Sequence, residues 1–205
     1  MRRYFPILAA VAMSLGIVAT SCGRNDKFVG TWTALSQSDI TSELPAASSA
    51  TSLMTIQFMP GTDGRGGSVA ISSLVDITQP VDPAAGAFDQ PYEVSVAATT
   101  SIGGTWMYEG DDDDELLLSL DLSSLNVTVD KNGVTFTQNL LTGKQQPELD
   151  SLTATTANLW RQQLSAAMRR ELARFNRLDD VEVNRDGILS FEIKNPDAKL
   201  FFRKS

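Results

Sequence analysis

A single stretch of helical periodicity interrupts a sequence that otherwise alternates like β-strands. From Ser151 to Leu178, apolar residues recur at spacings of three and four, which predicts one long amphipathic helix over about residues 151–178. On both sides of it, segments such as Tyr92–Ala98 alternate apolar and polar residues, as strands with one buried face do. We therefore predict a mainly β protein, an antiparallel β-barrel or sandwich with one long helix packed outside it near the C-terminus.

Two similar segments, each ending in Gly-Thr-Trp, stand out among the predicted strands. Phe28–Trp32 predicts the first strand, and Ile102–Trp106 repeats its pattern halfway along the chain. We predict that Ser101–Gly104 turns the chain into a new strand, and that Asp130–Gly133 is a tight hairpin turn. The repeat leaves two arrangements open, one continuous barrel or two small β units.

The N-terminal residues predict export and a lipid anchor. Arg2 and Arg3 precede the apolar run 7–18, and small residues follow directly before Cys22, the only cysteine. This arrangement resembles the lipobox of bacterial lipoproteins, in which the cysteine is acylated and becomes the first mature residue. The resemblance implies a signal peptide at 1–21, lipidation of Cys22, a tether at 22–26 and one domain at 27–205. An ordinary secretory leader that leaves a free thiol is the alternative.

The start of the predicted domain resembles the lipocalin-like lipoproteins of Gram-negative bacteria. The resemblance rests on the cysteine, the short tether and Phe-Val-Gly-Thr-Trp on the first strand, where Gly30 and Trp32 match the family's Gly-x-Trp motif. It implies a calycin-type barrel in which the tryptophan packs across the closed end. It further implies a basic residue over this tryptophan, for which Arg203 is a candidate.

The composition argues against catalysis and against nucleic-acid binding. The chain contains no histidine, which removes the commonest general base and metal ligand. Removal of the leader with its two arginines moves the formal net charge from -8 to -10, whereas phosphate contacts need an excess of Lys and Arg. We therefore expect a protein that is not an enzyme, needs no cofactor and binds no nucleic acid.

A barrel that is open at one end offers a ligand cavity. We predict that aromatic residues of the strands line it, and that it takes a small hydrophobic molecule; these residues are Phe58, Tyr92, Trp106 and Tyr108. The alternative is an interior filled by side chains. Trp160, Met168 and Phe175 on the helix are interpreted as core residues.

Two charged segments are further candidates. A basic helix face would dock an acidic partner or lipid headgroups, or would simply be solvated; it comprises Arg161, Arg169, Arg170, Arg174 and Arg177. An acidic hairpin tip is a weak candidate for binding Ca²⁺ and is predicted to be a solvated tip; it comprises Asp111, Asp112, Asp113 and Asp114.

Together these features predict a lipid-anchored lipoprotein of the cell envelope, at the outer membrane, that binds a small hydrophobic ligand in its barrel. The alternative function is an interaction module of an envelope complex. It would use the arginine face or an edge strand to bind a protein partner that the sequence does not identify.

Overall fold

The computed structural model describes residues 26–62, 64–82, 90–109, 114–137, 146–194 and 197–205. This part of the chain holds ten strands and one α-helix. The strands are β1 (Gly30–Ala34), β2 (Ser38–Asp39), β3 (Ser49–Pro60), β4 (Gly66–Val81), β5 (Tyr92–Tyr108), β6 (Leu116–Leu120), β7 (Asn126–Phe136), β8 (Arg177–Val183), β9 (Ile188–Ile193) and β10 (Ala198–Lys204). The helix, α1, spans Gln146–Leu172.

The strands form one closed antiparallel barrel. The hydrogen-bonded order is β1-β10-β9-β8-β6-β5-β4-β3, and β1 also pairs with β3, which closes the ring. Strands β6 and β7 share one position, because they pair with different halves of β5, and β2 only adds two residues beside β3. The ring therefore has eight positions, which confirms the predicted antiparallel barrel and is compatible with a lipocalin-like fold. A single ring also decides against two separate β units.

One face of the sheet holds the core. Alternate residues of β3, β4 and β5 are buried, and in register they form rows such as Ile56–Ile71–Ile102 across neighbouring strands. The residues between them, including Ser72, Leu74 and Asp76, are exposed on the outer face. This period of two is the reason that most apolar residues of these strands reach the interior.

The second Gly-Thr-Trp segment does not begin a strand. Strand β5 runs without interruption through Ser101–Gly104, so the predicted turn there is wrong. Gly104 instead permits close strand pairing, because a Cβ at this position would collide with the carbonyl oxygen of Ser119 on β6. Similarly, β7 continues through Asp130–Gly133, where the pairing with β5 shifts at a bulge and no hairpin turn forms.

Trp32 occupies the closed end of the barrel, as the Gly-x-Trp resemblance implies. Its side chain is 1% exposed, and its indole Nε1 donates to the carbonyl oxygen of Phe28 at 2.5 Å. Gly30 precedes it with a φ of 137°, a backbone conformation that favours glycine. The cation over the ring is Lys204, whose Nζ lies 5.7 Å from the ring centroid. Arg203 was the wrong candidate for this basic residue. It pairs with Thr33, and neighbouring residues of a strand point to opposite faces, so Arg203 and Trp32 lie on different faces of the sheet.

The long helix near the C-terminus is confirmed, although it begins five residues before the predicted start and ends at Leu172. A 3-10 turn, Ala173–Asn176, connects it to β8. Its buried residues belong to the same core as the inward side chains of the barrel, and it contacts β7. The outer faces of β4 and β5 are exposed, so α1 does not cover these two strands. The C-terminal part of α1 comes together with the end of β1 and with β10. None of the helices in the described ranges has the length and apolar character that crossing a bilayer requires.

Candidate functional site

A pocket of about 230 Å³ lies at the barrel mouth, where β1 ends and the C-terminal part of α1 approaches β10. Its floor is apolar and comes from the strands, the helix and the segment after β1; it comprises Ile40, Met54, Met168, Phe175, Ile193 and Phe202. The buried Ser52 also lines it, and its rim is polar and comprises Ser36, Ser38, Asp39, Glu171, Arg174 and Lys199. An apolar floor with a few polar groups around it is the usual composition of a small-molecule site.

The segment 36–48, which we call the strap, folds over the mouth beside this pocket. Ile40 and Leu44 point into the core and are 4% and 1% exposed, so the strap is held down by apolar burial. Its backbone is tied to β3, because the amide of Ile40 donates to the carbonyl of Ala50 at 2.9 Å. The strap therefore forms one wall of the pocket by tertiary packing, although only two of its residues belong to a strand.

An ion pair ties the strap to the helix. The Arg170 guanidinium donates from Nε to Glu43 Oε2 at 2.7 Å and from Nη2 to the Glu43 carbonyl oxygen at 3.0 Å. The Arg170 side chain is 58% exposed, so solvent screens this pair and its contribution to stability is small. Its geometric role is to fix the position of the strap relative to α1.

Arg174 and Glu171 form a second ion pair within the pocket rim. Arg174 Nη1 lies 3.0 and 2.9 Å from the two carboxylate oxygens, and both side chains are about four-fifths buried. The pair presents little net charge to the pocket, because each ion neutralises the other. This pair therefore offers no strong uncompensated charge to a bound molecule.

Arg177 crosslinks the seam at which β6 meets β8. Only two residue pairs, Leu116–Leu178 and Leu117–Arg177, join these strands in register. The guanidinium spans the seam and lies within 2.6–2.9 Å of oxygens of three carboxylates, those of Glu109, Glu115 and Asp179. The carboxylates raise the pKa of Arg177, first through the hydrogen bond of Asp179. Arg177 thus reinforces the seam between β6 and β8, and its charge is compensated by these carboxylates.

Asp179 is the buried member of this cluster. Its side chain is 11% exposed and lies 2.7 Å from Lys194 Nζ and 2.6 Å from Arg177 Nε. These two cations, Lys194 first, hold the pKa of the Asp179 carboxyl below its ordinary value, although burial opposes the shift. The same contact raises the pKa of Lys194.

Acid is therefore expected to weaken the seam through Asp179. Because the unfolded carboxyl takes up its proton before the folded one, the stabilisation is complete above the unfolded pKa and disappears as pH falls from about 4 through the folded pKa. We expect Asp179→Asn to lower the free energy of unfolding by about 1–3 kcal/mol at neutral pH, and to flatten its decline in acid. Urea denaturation at neutral pH and in the acid range measures both effects, with the exposed Asp76→Asn as the matched control. Parallel pH profiles for the wild type and Asp179→Asn would contradict this assignment.

The predicted cavity residues do not line the pocket at the mouth. Phe58, Trp106 and Tyr108 pack edge to face with Phe28 and with one another, with ring centroids 5.1–6.4 Å apart. Tyr92 lies at the other end of β5, beside Phe136 at 6.3 Å. All four predicted residues are buried, and three of them fill the closed end of the barrel together with Phe28. Ligand binding at these residues stays a prediction.

The predicted arginine face divides into paired and unpaired residues. Arg170, Arg174 and Arg177 bind the carboxylates described above, so these three stabilise the fold. Arg161 donates a hydrogen bond from Nη1 to a neutral partner, Asn158 Oδ1, at 2.6 Å. Within the described ranges Arg161 and Arg169 have no ion pair, and both are exposed.

The remaining predicted sites lie partly outside the described residues. This holds for Cys22 and for Asp111, Asp112 and Asp113, whereas Asp114 is described and exposed. In the part of the chain that the structure describes, no three acidic, histidine or cysteine side chains are grouped closely enough to hold a metal ion.

Sequence reasoning missed the strap and the pocket. The strap lies in a serine- and threonine-rich stretch without periodicity, which predicted a loop. The only local signal was the spacing of four between Ile40 and Leu44. Comparison with known proteins adds no further assignment, since no family model, no curated protein and no solved structure matches the chain.

Proposed function

We propose that this protein is a lipid-anchored lipoprotein of the bacterial cell envelope that binds a small apolar molecule without transforming it. The observation that carries the proposal is the pocket at the barrel mouth, with its apolar floor and polar rim. A closed barrel supports the proposal, because a continuous sheet holds pocket residues from distant parts of the chain in fixed positions.

The pocket is a better candidate for the ligand than the closed end of the barrel. At the closed end, the rings of Phe58 and Tyr108 already pack edge to face against the ring of Trp106. The pocket, at about 230 Å³, is smaller than the 300–1,000 Å³ of typical drug-sized sites. We therefore propose a ligand of one or two fused rings, or an alkyl chain of similar volume.

The chemistry of the rim favours binding over catalysis. Serine hydroxyls are present, but the chain has no histidine to activate them, and the Glu171 carboxylate is bound to Arg174. We propose that the anchor at Cys22 tethers the domain to the outer membrane, and that neither a cofactor nor nucleic acid takes part.

Filling the pocket is expected to abolish binding without unfolding the protein. Ala34 lines the pocket from β1, so Ala34→Phe places a ring in the empty space, whereas Leu35→Phe adds a ring at a neighbouring exposed position. Titration of residues 27–205 with 2-naphthol, followed by its fluorescence, should give a Kd at least about tenfold higher for Ala34→Phe than for the wild type.

The control Leu35→Phe should bind 2-naphthol as the wild type does, and both variants should unfold at urea concentrations close to that of the wild type. Equal affinity of Ala34→Phe and the wild type would place the binding site elsewhere and refute the proposal.

A further inference from the structure

Three hydroxyl side chains point into the barrel from neighbouring strands. Ser52 on β3, Ser73 on β4 and Thr100 on β5 are 4%, 3% and 4% exposed. Each occupies an inward position in a strand whose other inward residues are mostly apolar. We call these three residues the hydroxyl row.

The strand register brings the hydroxyl row together. Ser73 is the direct cross-strand partner of Thr100, and on its other side it pairs with Met54. Ser52 pairs with Val75, two residues along β4 from Ser73, and is therefore its diagonal neighbour. Directly opposite residues have Cβ atoms about 4.5–5.5 Å apart, and diagonal ones about 7–8 Å. A single small group can therefore reach more than one of the hydroxyls.

The hydroxyl of Ser73 is buried without a hydrogen-bond partner among the described residues. A buried hydroxyl that has lost its hydrogen bonds to water without gaining others destabilises the folded state. Alanine at this position would therefore give the folded state a higher stability. The presence of Ser73 is explained if something other than the chain supplies the missing hydrogen bond.

The pocket leads to the hydroxyl row. Ser52 and Met54 both line the pocket, whereas Ser73 lies beside Met54 on the next strand. Methionine is unbranched and adapts its shape readily, so a movement of the Met54 side chain would open the pocket towards Ser73.

We propose that the hydroxyl row receives the polar head of the ligand, and that this head is a neutral hydrogen-bonding group, a hydroxyl or a carbonyl. The inference rests on the proposed function and specifies its ligand class. The head is neutral because the buried polar residues of β3, β4 and β5 in the described part of the chain are these three uncharged ones. A buried ionised head would lack a counter-ion there.

Three probes that share one ring system test the head group. Naphthalene has no head group, 2-naphthol has a neutral hydroxyl, and 2-naphthoate has a carboxylate that is ionised at neutral pH. We expect wild-type residues 27–205 to bind 2-naphthol about three- to tenfold more tightly than either of the others, the range that one net hydrogen bond supplies. Ser73→Ala should remove this preference and leave the affinity for naphthalene unchanged.

The control variant is Ser72→Ala, which removes a hydroxyl from the outer face of the same strand and should change no affinity. Urea denaturation adds a second readout, because Ser73→Ala should be as stable as the wild type or more stable. Thr100→Val, which keeps the side-chain shape, serves as an independent variant of the row and should likewise reduce the preference for 2-naphthol.

The outcomes separate the two proposals. Equal binding of all three probes, tighter binding of 2-naphthoate, or an unchanged preference in Ser73→Ala would overturn the role of the hydroxyl row and leave the pocket as a binding site. No binding of any probe would overturn the proposed function as well. A less stable Ser73→Ala variant with full affinity for 2-naphthol would show that the hydroxyl is structural.

Discussion

Cys22→Ala is expected to abolish acylation and to leave residues 1–21 attached when the chain is made with its own leader. In the lipoproteins that the leader resembles, cleavage before the cysteine depends on its acylation, so a chain without the thiol is not cut. An ordinary secretory leader would be cut in the variant as in the wild type. Intact-mass spectrometry of the purified protein distinguishes these results, because the uncut chain keeps the mass of its leader and lacks the acyl groups.

Cys22 is also expected to decide whether the mature domain fractionates with membranes or with the soluble proteins of the envelope. When residues 22–205 follow a standard cleavable leader, Cys22→Ala should appear in the soluble envelope fraction. The wild type with its own leader should sediment with membranes, with a difference in soluble fraction of more than about tenfold, because several acyl chains anchor far more strongly than one. The matched control Ser21→Ala keeps a small residue beside the cysteine and should behave like the wild type. Membrane association of the variant from the cleavable leader would show that the domain binds membranes without lipid.

Trp32→Ala is expected to lower the free energy of unfolding by about 3–5 kcal/mol, the usual cost of deleting a buried large aromatic side chain. Trp32 is among the largest fully buried side chains and is 1% exposed at the closed end of the barrel. The variant also leaves the Phe28 carbonyl without the indole donor that now lies at 2.5 Å. Urea denaturation followed by far-ultraviolet circular dichroism measures the loss.

Two controls separate the contributions at Trp32. Trp32→Phe retains much of the apolar volume but not the hydrogen bond, so it should lose less stability than Trp32→Ala. Lys204→Ala removes only the cation 5.7 Å from the ring centroid, a contact at the exposed strand end that should contribute about 0.5–1 kcal/mol at most. A loss below 1 kcal/mol in Trp32→Ala would contradict the assignment of Trp32 as the plug of the closed end.

Local patterns in the sequence were sufficient for the class of fold and for several of the strands. The alternation in Tyr92–Ala98 predicted a half-buried strand, and the apolar residues of this alternation are the inward residues of β5. The change of period after Ser151 predicted the helix, although not its start at Gln146. These features were predictable because burial on one face imposes a period of two on strands and near 3.6 on helices.

The structural role of glycine was predicted wrongly in two segments, because glycine occurs both in turns and inside strands that approach each other closely. Ser101–Gly104 predicted a turn, yet Gly104 lies within β5, where its missing side chain lets β6 approach. Asp130–Gly133 has the composition of a hairpin turn and lies at a bulge. The sequence contains no local difference between these uses, since the neighbouring strand that requires the glycine is distant along the chain.

The position of the pocket depended on tertiary structure almost entirely. Met54, Met168 and Phe202 each follow a pattern that predicts core, and only the meeting of β3, α1 and β10 makes them the floor of one pocket. The strap has no pattern of its own, because it is held by Ile40, Leu44 and the ion pair of Glu43 with Arg170. The sequence by itself determined a mainly β protein with one long helix near its C-terminus, because each of these patterns depends on residues close together in the chain. Tertiary structure alone decided the position of the pocket and of the hydroxyl row, because these depend on strand register and on which distant residues meet.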